Sequence, residues 1–377
     1  MKTYMVAADN TSREPATWTY LRIDTDAGIT GWGEAGAAQK NVAAICRTGL
    51  EVIRDLLIGE DPADVERLWH KVYRQFTYFG SRGFGTAITS AVDLALWDIK
   101  GKEVGKPIYE LIGGRFRDKI LLYNNTWFIG AKTPEEFADC AKKKVVDEGY
   151  TASKVDPFLT MRPFHRMHQD GQISDEGEQL GYDIIEAVRE VVGPKHQVLI
   201  DAHGHYNVPT AIRLANNLYE KFNIHWFEEP LPPESIDGLR TVRENTDVPI
   251  CVGERLHTRW DFIPILQNRL TDYIMPDTLW TGGISEARKI ANLAELYNIP
   301  FSPHCVPLGP HEIIAAAHVC STIPNFYRLE SGFQAIPTFN EMLDEPLCYE
   351  DGHLILNGKP GLGYNPKEEW LEAHLIK

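Results

Sequence analysis

The segment VLIDAHG (residues 198–204) is a short, β-rich apolar run that ends on Asp201, with His203 two positions further on. The pattern recurs in IHWFEEP (224–230), PICVGER (249–255), DYIMPD (272–277), IPFSPHC (299–305) and FYRLE (326–330). Asp201, Glu228, Glu254, Asp277, His304 and Glu330 close these runs at intervals of 23 to 27 residues. Such an interval is about one β/α unit, and polar residues at successive strand C-terminal ends are how a (β/α)8 barrel builds one site from many strands.

Working outward, ILLYNNTW (120–127) and YTASKVD (150–156) supply two earlier strand candidates, so eight can be counted between about 119 and 332. Helix-like stretches separate most of them. In GISEARKIANLAELY (283–297), Ile284, Ala287, Ile290, Ala291 and Ala294 share one face, opposite Glu286, Arg288 and Glu295. Alternating strands and helices predict parallel βαβ units, an α/β class. The step from Lys154 to Asp201 is longer than the others because of PFLTMRPFHRMHQDGQISDEGEQ (157–179), an insertion expected to act as a lid or an oligomer contact.

Residues 1–118 read differently. TWTYLRID (17–24), a turn at Asp26-Ala27-Gly28 and ITGWGE (29–34) form a hairpin pattern. Helical periodicity follows at 43–57, 64–76 and 83–105, the last stopping near Gly105-Lys106-Pro107. This is an α+β region. From 333 to 377, EPLCYEDGHLILNGKPGLG (345–363) reads as a hairpin-like end returning to it.

Composition excludes several classes. With 43% hydrophobic and 24% charged residues in 377, the chain can bury a large core. A net charge of −15 without a basic run argues against nucleic acid and anionic membranes. Six cysteines without C-x-x-C spacing leave zinc-ribbon and redox readings unsupported. MKTYMVAADN lacks a signal peptide's apolar stretch and no run of roughly 18 apolar residues occurs, so a cytoplasmic protein is expected.

Chemistry concentrates at the strand ends. Any one acid there is more often a helix cap or a surface ion-pair partner, but Asp201, Glu228 and Glu254 on three consecutive strands can converge, and an all-carboxylate set suits a hard cation such as Mg²⁺. Asp277 and His304 end adjacent strands, a pairing that fixes an imidazole's tautomer and makes it a general base. Strand parity turns Lys154 inward with Asp156, and Asp201 with His203. Lys154 can hold a substrate carboxylate, the alternative being an ion pair with Asp156 or Glu228, and His203 can donate a proton. Glu330, among so many carboxylates, is expected to have a raised pKa and to hydrogen-bond a developing oxyanion as a neutral acid.

The segments GITGWGEA (28–35), TAITSAVDLALWDIKGKEVGKPIYELIGG (86–114), DAHG, WFEEP, GER, PDTLWTGGISEARKIA (276–291) and PHCVPLGP (303–310) carry a resemblance that spans nearly the whole chain. In them the sequence closely resembles the mandelate racemase-like subgroup of the enolase superfamily, and within it the sugar-acid dehydratases of galactonate dehydratase type. The resemblance implies a modified (β/α)8 TIM-like barrel (119–332) under an α+β capping domain built from residues 1–118 and the 333–377 tail. It implies Mg²⁺ at Asp201, Glu228 and Glu254 and a His304–Asp277 base dyad. Many racemase-like members carry K-x-K on the second strand, whereas here it reads Lys154-Val155-Asp156, which weakens a two-base racemase and leaves Asp156 to bind a sugar hydroxyl or orient Lys154. The implied reaction is dehydration of an aldonic acid to a 2-keto-3-deoxy acid, with His304 as base, His203 as acid and Lys154 and Glu330 on the carboxylate. Epimerisation, racemisation or cycloisomerisation of a sugar acid is the alternative, and a non-catalytic sugar-acid-binding role stands below it. Trp18, Arg82, His165 and Asp156 are the expected substrate contacts, from the hairpin near 11–18, the loop near 78–84 and the 157–178 insertion. A small acid sugar is the expected partner, and the protein is expected to be a homo-oligomer.

Overall fold

The computed structural model describes residues 1–8, 16–36, 39–78, 80–158, 171–305 and 309–377. Three N-terminal strands, β1 (Lys2–Ala8), β2 (Ala16–Asp24) and β3 (Thr30–Ala35), form an antiparallel sheet in the order β1-β2-β3. The β2–β3 ladder pairs Arg22 with Trp32 and Asp24 with Thr30, as the hairpin pattern predicted. β1 was not anticipated: its buried residues are the consecutive trio Tyr4, Met5 and Val6, so the period-2 signal of a half-exposed strand is missing.

Helices Lys40–Val52, Val65–Gln75 and Phe84–Val104 cover this sheet. The last is buried along most of its length and ends on Gly105 at φ 67°, where the Gly-Lys-Pro punctuation placed its stop. It lies so close to β3 that a Cβ on Gly33 would sit 1.9 Å from the Ala91 carbonyl oxygen, and one on Gly31 2.2 Å from that of Ala95. Glycine at both positions lets helix and strand touch backbone to backbone.

The second unit is a parallel ladder: β4 (Ile120–Asn125), β5 (Ala152–Val155), β6 (Gln197–Asp201), β7 (Trp226–Glu228), β8 (Ile250–Val252) and β9 (Tyr273–Ile274), with β10 (Leu329–Gly332) pairing back onto β4. The expected seventh strand, at 300–304, is present only as the bridges Ile274–Phe301, Phe301–Phe326 and Asp277–His304. Pro300 and Pro303 lie within it, and a residue without an N–H cannot sustain a ladder. Tyr123, Ala152, Leu199, Trp226 and Cys251, one from each of β4 to β8, form a buried layer with Met275, which directly follows β9. By alternation, Asn125, Lys154, Asp201 and Glu228 stand one step above that layer, toward the strand C-terminal ends.

The tail departs in part from expectation. Its hairpin, β11 (Cys348–Glu350) with β12 (His353–Ile355), lies antiparallel on β4 and so extends the second sheet, not the N-terminal one. Residues beyond it contact the first unit: Leu362 N donates to Asp98 (2.9 Å) and Ile376 N to the Met5 carbonyl (2.9 Å). No helix among the described residues is long and apolar enough to cross a membrane.

Gly33→Ala forces the strand and helix apart and is expected to cost about 1–3 kcal/mol of stability in denaturant unfolding. Gly80→Ala, whose Cβ meets open space, should stay within about 0.5 kcal/mol of the parent.

Candidate active site

Asp201 and Glu228 are register partners on β6 and β7, and Glu254 follows β8 by two residues. Oxygens of the three lie within 4.8 Å of one another, and all three residues are buried. Burial, and then the mutual repulsion of the acids, pushes Glu228 well above the ordinary carboxylate range despite Lys154, and Glu254 moves upward for similar reasons. Burial pushes Asp201 up as well, but His203 and Lys154 outweigh it and hold this carboxyl low. An oxygen-only set so short of positive charge fits a hard divalent cation, as Mg²⁺ is.

Lys154 points into this set. Its Nζ is 2.5 Å from Glu228, 2.8 Å from Glu330 and 3.5 Å from Asp201. Burial opposes its charge, but Glu228 and Glu330 raise its pKa well above the usual lysine value. The anticipated ion pair with Glu228 is therefore present, alongside two more acids.

Glu330 corrects an expectation. Burial alone would raise its pKa, but Lys154, then His304, and the hydrogen bond from the Cys305 backbone N–H hold it below its ordinary value. Its two oxygens accept from Asn125 Nδ2 (2.8 Å) and Cys305 N (3.0 Å). Its surroundings favour an ionised acceptor over the neutral donor expected, because Lys154 and His304 are the charges that weigh most on it.

Two imidazole–carboxylate pairs flank the acids. His304 Nδ1 is 2.7 Å from Asp277, whose other oxygen accepts from the Leu279 (2.7 Å) and Trp280 (3.0 Å) backbone N–H groups. His304 Nε2 faces Glu254 (3.6 Å) and Glu330 (3.9 Å), and the Trp280 ring stacks on the imidazole at 5.3 Å. Burial works against its charge, but Glu330, the Asp277 hydrogen bond and Glu254 lift its pKa to about 9.

Asp156 makes the second pair. Its carboxylate is 2.7 Å from His203 Nδ1 and also accepts from Phe158 N (3.0 Å), while His203 Nε2 lies 3.2 Å from Asp201. Lys154 is oriented by Glu228, Glu330 and Asp201, not by Asp156. Strand alternation does not reveal this pairing, because His203 stands just past β6 at φ 48°, in the left-handed region, where alternation no longer holds. Glu229, at φ 42°, is a second non-glycine residue in that region. Its carboxylate accepts from Gly253 N (2.7 Å) and Arg255 (2.6 Å), so the second acid of WFEEP and the arginine of GER join the ends of β7 and β8. Strained backbone of this kind clusters where structure around it is over-determined by function.

Two of the remaining expected contacts, Trp18 and Arg82, are not brought to the cluster. Trp18 is fully buried in β2, its ring 6.5 Å from Trp370. Arg82 is exposed and held by Asp261 on the helix Thr258–Gln267 (2.7 Å). His165 and most of the 157–178 insertion lie outside the described residues, as does much of the 11–18 hairpin.

The parallel ladder thus gathers these acids and histidines at its strand C-terminal ends as one candidate active site. A family model for enolase C-terminal domain-like proteins matches residues 136–370, and one for the mandelate racemase / muconate lactonizing enzyme N-terminal domain matches residues 3–113. The chain belongs to the enolase superfamily, and carries its N-terminal capping domain ahead of the barrel-type domain. It is similar to D-xylonate dehydratase of Haloferax volcanii (32% identity over 96% of this chain and 86% of that protein) and to D-galactonate dehydratase of Pectobacterium atrosepticum (34% over 95% and 91%). Its fold is that of the crystal structure of a mandelate racemase/muconate lactonizing enzyme-like protein from Rubrobacter xylanophilus, at a TM-score of 0.88 and 35% identity, covering 100% of this chain and 97% of that one.

Because Glu330, Asp277 and Glu254 together raise the His304 pKa toward 9, removing one of these charges lowers it. In a histidine-labelled NMR titration of metal-free protein, Asp277→Asn should shift His304 to lower pH, and adding Mg²⁺ to the parent should shift it the same way. An unchanged or upward shift in Asp277→Asn contradicts the assignment.

Proposed function

We propose that this protein is a hydro-lyase that dehydrates an aldonic acid to the 2-keto-3-deoxy acid, with Mg²⁺ held by Asp201, Glu228 and Glu254. The observation that carries the reading is the presence of two separate imidazole–carboxylate dyads, Asp277–His304 and Asp156–His203, bordering one carboxylate cluster. Elimination needs a base for the α-proton and an acid for the β-hydroxyl, and the dyads supply one each. The dehydratase names of the relatives support the same class.

When bound, the cation supplies the positive field that lowers the cost of negative charge on the substrate carboxylate as the α-proton leaves. His304 Nε2, the nitrogen not engaged by Asp277, takes the proton from C2, and Asp277 stabilises the resulting imidazolium. Lys154, kept cationic by its three acids, shares its charge with the substrate carboxylate. Glu330 serves by fixing Lys154 and favouring the imidazolium form of His304. His203 Nε2 gives its proton to the C3 hydroxyl, which departs as water. Asp156 accepts from Nδ1, and against burial Asp201 and Asp156 together favour the doubly protonated imidazolium, so that the second proton sits on Nε2, the nitrogen that faces the cluster. The C2–C3 enol then becomes a C2 ketone by taking a proton at C3.

Incubation of variants with D-galactonate, D-gluconate, D-xylonate and D-arabinonate in D₂O separates these roles. His304→Asn should lose both α-proton exchange and product, by roughly 10²–10⁴-fold. His203→Asn should lose product while the recovered acid gains deuterium at C2. Dehydration by His203→Asn at the parent rate removes the acid from the mechanism and points to epimerisation or cycloisomerisation instead. Chelation should abolish turnover and Mg²⁺ restore it.

A further inference from the structure

The buried carboxyl of Glu312 has no place in the mechanism above, yet it stands beside the base dyad. Glu312 belongs to the first turn of the helix Pro310–Cys320 and is fully buried. Its Oε1 is 4.0 Å from His304 Nδ1, and the ligating atoms of Asp277, His304 and Glu312 lie within 4.8 Å of one another. Among the described residues neither of its oxygens has a donor partner.

A carboxylate in that position would be surrounded by like charge. Besides Asp277, Glu34 and Glu330 bear on it, with the Cys305 thiol close by, and His304 is the cation on that side. Burial, and then Asp277, push the Glu312 pKa well above the carboxylate range, so the group is a neutral acid with one O–H to donate. Asp277, with a carboxylate oxygen within 4.8 Å, is the acid that bears on it most strongly. Three of the roughly four acceptor positions of an ionised carboxylate are filled on Asp277, by His304 Nδ1, Leu279 N and Trp280 N, which leaves one.

The helix that presents Glu312 is fixed from the other domain. Glu34 on β3 accepts from Gly309 N (2.7 Å) and His311 N (3.2 Å), and a Cβ on Gly309 would come within 2.4 Å of Glu34 Oε1. The N-terminal turn of that helix is therefore held against the capping domain, with Glu312 on it.

We propose that Glu312 is a positioning residue for the base, a carboxylic acid whose O–H donates to Asp277 and locks that carboxylate against His304 Nδ1. The inference rests on the assignment of His304 as the base. Glu312→Gln preserves shape and a donor, whereas Glu312→Leu removes the donor and, by replacing an uncompensated buried acid with an apolar group, should leave stability level or higher.

The test uses the Mg²⁺-loaded full chain and two readouts. In ¹⁵N-histidine spectra without substrate, the His304 Nδ1 proton should be slowly exchanging in the parent and in Glu312→Gln, and fast or lost in Glu312→Leu. With the aldonic acid of the four above that the parent turns over, C2 proton exchange and kcat should fall about 10–100-fold in Glu312→Leu with KM unchanged, and recover to within about threefold in Glu312→Gln. A protected Nδ1 proton in Glu312→Leu, or a Glu312→Gln as impaired as the leucine variant, overturns the proposal. Should Glu312→Leu not fold, Glu312→Gln decides, because an ionised Glu312 would not tolerate the amide. Retained exchange in His304→Asn would sink the base assignment, and the substrate-free spectra would still report on Glu312.

Discussion

The structure turns on an excess of buried negative charge. Asp201, Glu228, Glu254 and Glu330 crowd the strand ends around one lysine, Lys154, with His203 and His304 at the margins. Two unit charges 4 Å apart repel by about 4 kcal/mol at an effective dielectric near 20, so such a cluster is costly unless protons or a cation neutralise it. The upward pressure on Glu228 and Glu254 is the same imbalance seen from the acids. A divalent cation held there would resolve it, and the positive field so gained would acidify a proton next to a carboxylate, as the proposed reaction requires.

Positions within such a cluster matter to a fraction of an ångström, and the two domains cooperate to fix them. The capping-domain helix Phe84–Val104 reaches the turn and helix that follow Asp277: Ser90 Oγ accepts from Gly282 N (3.1 Å), Asp93 from Ser285 N (3.0 Å), and Trp97 Nε1 donates to Ser285 Oγ (2.8 Å). Trp69 Nε1 donates to the Gly282 carbonyl (2.7 Å). Glu34 does the same for the helix after His304. The capping domain thus holds the segments that follow both Asp277 and His304.

Much of this was legible in the sequence because a barrel site is periodic. Strand C-terminal ends recur every 23 to 27 residues, so Asp201, Glu228 and Glu254 could be placed on consecutive strands, and Asp277 beside His304, from spacing alone. What escaped lay where periodicity fails. His203 has left its strand and turned into the left-handed region, which hid its bond to Asp156. The sign of the Glu330 shift depended on whether its nearest neighbours were acids or Lys154 and His304, a three-dimensional fact. Glu312 reads in sequence as an ordinary acid in a helix first turn, and only its burial against Asp277 sets it apart. Prolines broke the seventh strand into bridges, and the tail hairpin chose β4 because pairing partners are not encoded in alternation.

The central claim is that proton abstraction at C2 leads to loss of the C3 hydroxyl in a cation-filled site. Product analysis by NMR of the parent protein, with Mg²⁺ and the four aldonic acids in D₂O, tests it most directly. A 2-keto-3-deoxy acid carrying one solvent deuterium at C3 is expected from at least one of them. A product that keeps its C3 hydroxyl and carries deuterium only at C2, with no keto acid formed, would contradict it.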